Sequence, residues 1–311
     1  MVAPISIRTA AELIAAIPAL VGFVPTESLI MVALAEGRIL FTARHDLADI
    51  TVGHTAASLA EVIALNNATS VLLVGIGAEP SIEAQDEMVG HLAGYAIDVH
   101  RQLHVTTVAH AAEYIDYATG QIGIAGDYRD SAGTVAYAVE EGRAVMASRQ
   151  DFAQMFATVD PAAPVDPETI DPEWTAQEML GAVSLNTDPG PETAARFGAL
   201  IANVNVRDAM LRLGTESAGT AATVMARTAA HLRGDDRARV LTLAMFFYYA
   251  AGNGAAAGIA ADTVANENLE PTSLMRLLGR SLQSAMHPRV LAELIPTQAD
   301  ASSYLGAPFP I

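Results

Sequence analysis

The sequence contains no lysine and no cysteine; all 17 of its basic residues are arginine, and tryptophan occurs once. Each absence removes a chemistry. Without lysine there is no Schiff-base amine and no P-loop lysine, which excludes pyridoxal phosphate enzymes and Walker-type NTPases. Without cysteine there is no thiolate nucleophile, no thiolate zinc site and no disulfide. Positive charge is also scarce. With 35 acids the formal charge is −18, which argues against the cationic footprint that nucleic-acid phosphates require and against binding to anionic membrane surfaces. No apolar run approaches the roughly 20 residues of a membrane span, and residues 1–10 lack the basic start and long apolar run of a signal peptide. The expectation is a soluble cytoplasmic protein with no cofactor and no direct nucleic-acid or membrane partner.

What is present is apolar and rich in alanine. Hydrophobic residues make up 51% of 311 positions, enough for a sizeable core and two domains. The pattern divides into an α/β sheet domain over 1–150, an acidic, proline-rich linker over 151–193, and an α-helical domain over 194–311. The linker reading rests on nine acids and no basic residue between Asp151 and Glu192, with prolines at 161, 164, 167, 172, 189 and 191. Proline keeps such a stretch extended and like charges keep it from collapsing.

In the first part, Thr9-Ala10-Ala11-Glu12 reads as a capping box opening a short helix that ends at Pro18. Two apolar strands follow, Ser28–Leu34 and Arg38–Leu47, joined by Ala35-Glu36-Gly37 as a three-residue turn. A helix over 56–65 stops at Asn66-Asn67. Ser70–Gly77 has the unbroken apolar run of a strand buried on both faces. Ser81–Tyr95 is a second helix with Met88, Leu92 and Tyr95 toward the sheet, and strands follow at Leu103–Ala109 and Glu113–Ala118. The fold class expected is α/β: a mixed sheet of about five strands with covering helices, then an α-helical region. From 132 to 157 and from 194 to 288 the periodicity is helical. A second capping box, Thr175-Ala176-Gln177-Glu178, places a short helix inside the linker, and Phe246-Phe247-Tyr248-Tyr249 reads as core.

The hairpin carries the densest set of unusual polar residues. The three-residue turn pairs Ser28 with Arg44; side chains alternate along a strand, so Ser28, Arg44 and Asp46 share a face at the end away from the turn. A two-residue turn at Glu36-Gly37 would place Ser28 opposite His45 instead. One reading makes Ser28, Arg44 and Asp46, with His45, a pocket whose guanidinium receives a carboxylate or phosphate. The other makes Arg44 and Asp46 an ion pair fastening the loop from Gly22 to Thr26. The second is preferred, because withdrawn charges are mostly paired for structural reasons. Gly75 and Gly77, at the end of an apolar strand, suit either a ligand at the sheet's carboxyl edge or a tight exit turn. His100, His104 and His110 raise a metal reading, but on a strand His104 and His110 stand about 20 Å apart, so no metal is assigned.

A helix ending in Ile17-Pro18-Ala19-Leu20, then Gly22-Phe23-x-Pro25-x-x-Ser28-Leu29, then Arg44-x-Asp46-Leu47, resembles the opening signature of a bacterial family, Domain of Unknown Function 4192. Near the other end, Gly252-Asn253-Gly254-Ala255 is similar to that family's Gly-Asp-Gly-Ala, with Asn253 in place of the usual Asp, and Ser273-Leu274-x-x-Leu277-Leu278 follows at family spacing. Glu270-Pro271 stands where Asp-Pro is common in the family. The resemblance implies an α/β domain followed by helices, gives Gly22, Phe23 and Pro25 a structural place, and implies no reaction. Two functions follow: a self-associating or partner-binding scaffold that uses its helical half, or a small-ligand receptor or hydrolase working at Ser28, Arg44 and Asp46.

Overall fold

The computed structural model describes residues 7–141 and 144–310. Internal contacts divide the chain into two compact units, Met1–Arg149 and Gln150–Ile311.

The first unit opens with α1 (Ala10–Val21), started by the expected capping box: the Thr9 hydroxyl accepts from the Glu12 N–H at 3.1 Å and the Glu12 carboxylate accepts from the Thr9 N–H at 3.2 Å. The helix does not stop at Pro18. It runs one turn further, with Leu13, Ile14, Ile17 and Val21 buried, and ends where Gly22 takes φ 85° and donates to the Pro18 carbonyl at 2.9 Å. Proline so near a helix end removes one donor and no more, and burial of the apolar stripe outweighs that loss; the left-handed glycine is the stop. Phe23 and Pro25 are buried behind it, and the backbone at 22–24 pairs with Met146.

Strands β1 (Ser28–Ala35) and β2 (Arg38–Asp46) form the hairpin. Its turn is the two-residue kind, with Glu36 and Gly37 both at positive φ and Ala35 opposite Arg38. An irregularity at Ala33/Leu34 then passes over Leu40 and sets Val32 opposite Thr42, Ile30 opposite Arg44 and Ser28 opposite Asp46. The expected partner of Ser28 is therefore displaced by two positions. Because side chains alternate with period two, the bulge restores the faces that a two-residue turn alone would have exchanged.

Next come α2 (Leu47–Ile50), α3 (Thr55–Leu65), β3 (Ser70–Ile76), α4 (Ile82–Ala93), β4 (Asp98–Val105), β5 (Ala112–Asp116), β6 (Gln121–Ala125), α5 (Ala132–Glu141) and α6 (Arg149–Gln154). The helix expected over 132–157 is interrupted after Glu141; residues 142 and 143 lie outside the described residues. The six strands form one mixed sheet in the order β2-β1-β3-β4-β5-β6, in which only β3 and β4 run parallel, joined through α4. β6 is the strand absent from the expected five. The sequence pattern assigns its residues to no element; Gly123 lies opposite Tyr114 of β5, where a Cβ would come within 2.6 Å of the Tyr114 ring. One face of the sheet presents Leu29, Met31, Val71 and Leu73 to Ala60 and Ile63 of α3 and to Met88 and Leu92 of α4. Each such large side chain contributes about 1.5–3 kcal/mol by leaving water. Tyr95 does not join them; α4 ends before it, and it is exposed.

In the second unit the stretch 151–193 is structured. Val159 and Ala162 donate backbone hydrogen bonds to Ala230 and His231, and α7 (Pro172–Leu185) occupies its centre. That helix starts at Asp171, whose carboxylate accepts from the Trp174 N–H at 3.0 Å, with Pro172 in the first turn. Thr175, read as a cap, is inside the helix. There follow α8 (Gly190–Leu200), α9 (Val204–Ala209), α10 (Ala218–Ala230), α11 (Gly234–Ala250), α12 (Gly254–Asn266), α13 (Ser273–Gln283) and α14 (Gln298–Leu305). Residues Phe246–Tyr249 of α11 are buried, and Tyr249 donates to the Met286 carbonyl at 2.6 Å; burial pushes its phenol up to about 12. Among the described residues no helix is long and apolar enough to cross a membrane.

Arg237, on α11, is fully buried. Its Nε and Nη2 donate to the two carboxylate oxygens of Glu267 at 2.6 Å each, Nη2 also reaches the Phe156 carbonyl at 2.6 Å, and Nη1 donates to the Ala229 carbonyl. One side chain thus ties the chain after α6, the end of α10 and the end of α12 to α11. Replacing Arg237 by Ala should destabilise the protein by about 3–5 kcal/mol in urea denaturation, since it strands three acceptors. Arg237→Lys should recover less than half, because an ammonium cannot serve a carboxylate fork and two carbonyls together.

Candidate functional site

The hairpin corner is built from β1, β2 and the loop before them. Arg44 Nε donates to Ser28 Oγ at 2.8 Å and Nη2 to Asp46 Oδ1 at 2.5 Å, while the Ser28 hydroxyl donates to the Thr26 carbonyl at 2.6 Å. Ser28 is fully buried and the Arg44 side chain is 22% exposed. Guanidinium, hydroxyl and carboxylate do meet, and their bonds run from β2 through Ser28 to the loop. The Ser28 hydroxyl thus donates to one protein group and accepts from another.

The remaining sequence candidates lie elsewhere. His45 is opposite Leu29, on the face packed by α3 and α4, and its Nδ1 is buried without a partner. Gly75 and Gly77 stand at the carboxyl end of β3 on that same side, and close approach demands glycine at Gly75. A Cβ on Gly75 would lie 1.8 Å from Ser81 Oγ, and one on Gly77 would lie 2.8 Å from a Glu27 carboxylate oxygen. Glu27 itself takes φ 42° and accepts from the Ala78 N–H at 3.1 Å. So the corner of Ser28, Arg44 and Asp46 does not share a face with His45, Gly75 and Gly77.

What Gly75 makes room for is a polar network that sequence reading missed. Ser81, at the start of α4, places its Oγ 2.9 Å from His104 Nδ1. Gln85 Nε2 donates to Ser81 Oγ at 2.9 Å and to the Leu103 carbonyl at 2.8 Å. The Tyr117 ring stacks on His104 at 6.0 Å. Burial pulls the His104 pKa below its ordinary value, with the Glu27 charge opposing. Burial likewise pushes the Tyr117 phenol up, against hydrogen bonding from Ser81. Serine at a helix start ordinarily caps it; Ser81 makes no cap bond. Its hydroxyl, buried with His104, pins α4 to the ends of β3 and β4 instead. The available signal was Gly75 itself, a small residue in a strand otherwise filled by Val, Leu and Ile.

His104 shares no site with the other two histidines of the metal reading. His100 is exposed and His110 Nδ1 lies 2.9 Å from the Ala111 carbonyl. Among the described residues no group of three or more His, Asp or Glu side chains is placed to hold a metal ion.

The two edges of the sheet differ. β2 carries Arg38, Arg44, His45, Asp46 and the bulge. β6, Gln121-Ile122-Gly123-Ile124-Ala125, has no charge, and its two isoleucines are 61% and 72% exposed. Both sit on the face that also bears Ile115 and His104.

Among known proteins, a family model described as Domain of unknown function (DUF4192) matches residues 11–177 and 166–289. No curated protein and no solved structure matches.

If the corner is a fastening, Arg44→Ala should lower stability by about 1–2 kcal/mol, the worth of charge-assisted bonds partly open to water. Denaturant titration checks it; an unchanged midpoint would leave the residue free for other work. The lowered folded pKa of His104 means that the unfolded chain binds more protons below about pH 6.5, so stability is lost as pH falls through that value. His104→Gln should flatten the pH dependence of the denaturation midpoint in that window, and parallel slopes in the two proteins would refute the assignment.

Proposed function

The chain belongs to the family described as Domain of unknown function (DUF4192), and we propose that it acts as a self-associating module, its α/β unit joining a second copy through β6. The observation that carries this reading is an edge strand with two neighbouring isoleucines in water and no charged residue. Edge strands present unpaired N–H and C=O groups, and proteins ordinarily blunt them with charge, proline or bulges. β2 has such protection; β6 has none of it.

The partner that fits is another copy of this chain. Antiparallel pairing of β6 with itself about a two-fold axis at Gly123 continues the sheet and brings Ile122 of one copy against Ile124 of the other, a favourable cross-strand pair. Two chains of formal charge −18 repel, and contact is least costly where the surface is neutral. A binding role is supported by Ser28, Arg44 and Asp46 engaging one another and Thr26. This reading puts the interaction surface on the sheet, where the sequence alone favoured the helical half.

Light scattering over a concentration series should detect a dimer that dissociates on dilution. The double variant Ile122→Lys/Ile124→Lys should be monomeric with an unchanged circular dichroism spectrum, since both side chains already lie in water. A wild-type protein that is monomeric throughout, or a double variant that still dimerises, would overturn the proposal.

A further inference from the structure

The second unit contains a cleft of about 270 Å³ bordered by the end of α7, the 3-10 turn Met210–Gly214, the start of α10 and the chain at Phe309. Leu180, Val183, Leu213 and Phe309 supply apolar wall. Arg212 supplies the charge. Its Nη1 donates to the Pro296 carbonyl at 2.9 Å, which holds the guanidinium in place. Among the described residues, no carboxylate lies within ion-pair distance of it, Glu216 on the same cleft included. Arg196, Arg207, Arg237 and Arg239 of this unit each meet a carboxylate, and half-buried Arg227 donates to the carbonyl and the side-chain oxygen of Asn186. Arg212 is half-buried, anchored through one nitrogen to a backbone carbonyl, and borders the cleft.

We propose that this cleft binds a small organic anion, a carboxylate or phosphate monoester with a short apolar body, whose oxygens receive the Arg212 fork. A planar guanidinium fixed at one nitrogen still offers donors at spacing that matches a carboxylate or phosphate edge. The volume lies just below the roughly 300–1,000 Å³ of drug-sized sites, so it suits a compact metabolite. The apolar wall rejects inorganic phosphate as a full occupant, and the negative charge of the chain disfavours polyanions. This site is separate from the β6 edge and does not depend on self-association.

Calorimetric titration with hexanoate and with phenyl phosphate, against hexanamide and inorganic phosphate as controls, tests it. At least one of the first two should bind saturably, and which one does identifies the anion class; the controls should bind at least tenfold more weakly. Arg212→Gln should weaken binding at least tenfold. Because that change also loses the Pro296 bond, Ser184→Trp at the exposed rim of the cleft provides a second variant, which should block binding without altering the circular dichroism spectrum. Ile122→Lys/Ile124→Lys should bind as wild type. Binding of neither anion, equal binding of hexanamide, or undiminished binding by both cleft variants would overturn the proposal.

Discussion

A guanidinium taken wholly out of water must have every charge-bearing donor answered, and Arg237 is where the helical unit meets that demand. Its partners come from three separate places in the chain: the Phe156 carbonyl, the Ala229 carbonyl at the end of α10, and the Glu267 carboxylate at the end of α12. Carbonyls at helix ends have no intrahelical donor, so a buried cation there satisfies them and fixes the ends of several helices at once. A lysine could not do this with one point charge. In a chain whose cations are all arginine, structural positions of this kind are available in quantity.

The sheet unit depends on a different constraint, backbone closeness. Gly75, Gly77 and Gly123 each lie where a side chain would strike a neighbour within 3 Å. At Gly75 the room goes to Ser81, His104 and Gln85, which join the start of α4 to the parallel strands it connects. At Gly123 it goes to the Tyr114 ring of β5, and β6 extends the sheet past the helices that cover β1, β3 and β4, with its isoleucines in water. The self-association proposed for the family member described here follows from that extension.

Much of the fold was legible. The apolar run Ser70–Gly77, the capping box at Thr9 and the buried aromatics of α11 declare themselves through local pattern. The hairpin register was off by two: one position because the turn holds two residues where three were expected, and one because a bulge is a property of the pairing and has no residue of its own in the pattern. The stretch 151–193 misled for another reason: its acids and prolines match an extended linker, yet Asp171 and Pro172 start a helix and Val159 and Ala162 bond to the region after α10. Composition averages over such positions and loses them.

By itself the amino-acid order determined the mixed α/β class followed by helices, the chemistries closed to a chain without lysine or cysteine, and the shared face of Ser28, Arg44 and Asp46. These rest on local geometry, on turn and strand periodicity, and on which functional groups exist at all. Only the folded chain decided that Ser28 is buried and engaged, that Ser81 meets His104 across 23 positions, that β6 ends the sheet with its isoleucines in water, and that Arg212 borders a cleft with no carboxylate of the described residues beside it. Each of those depends on which distant segments come within a few ångströms of one another, a quantity set by packing of the whole unit and invisible to any window along the sequence.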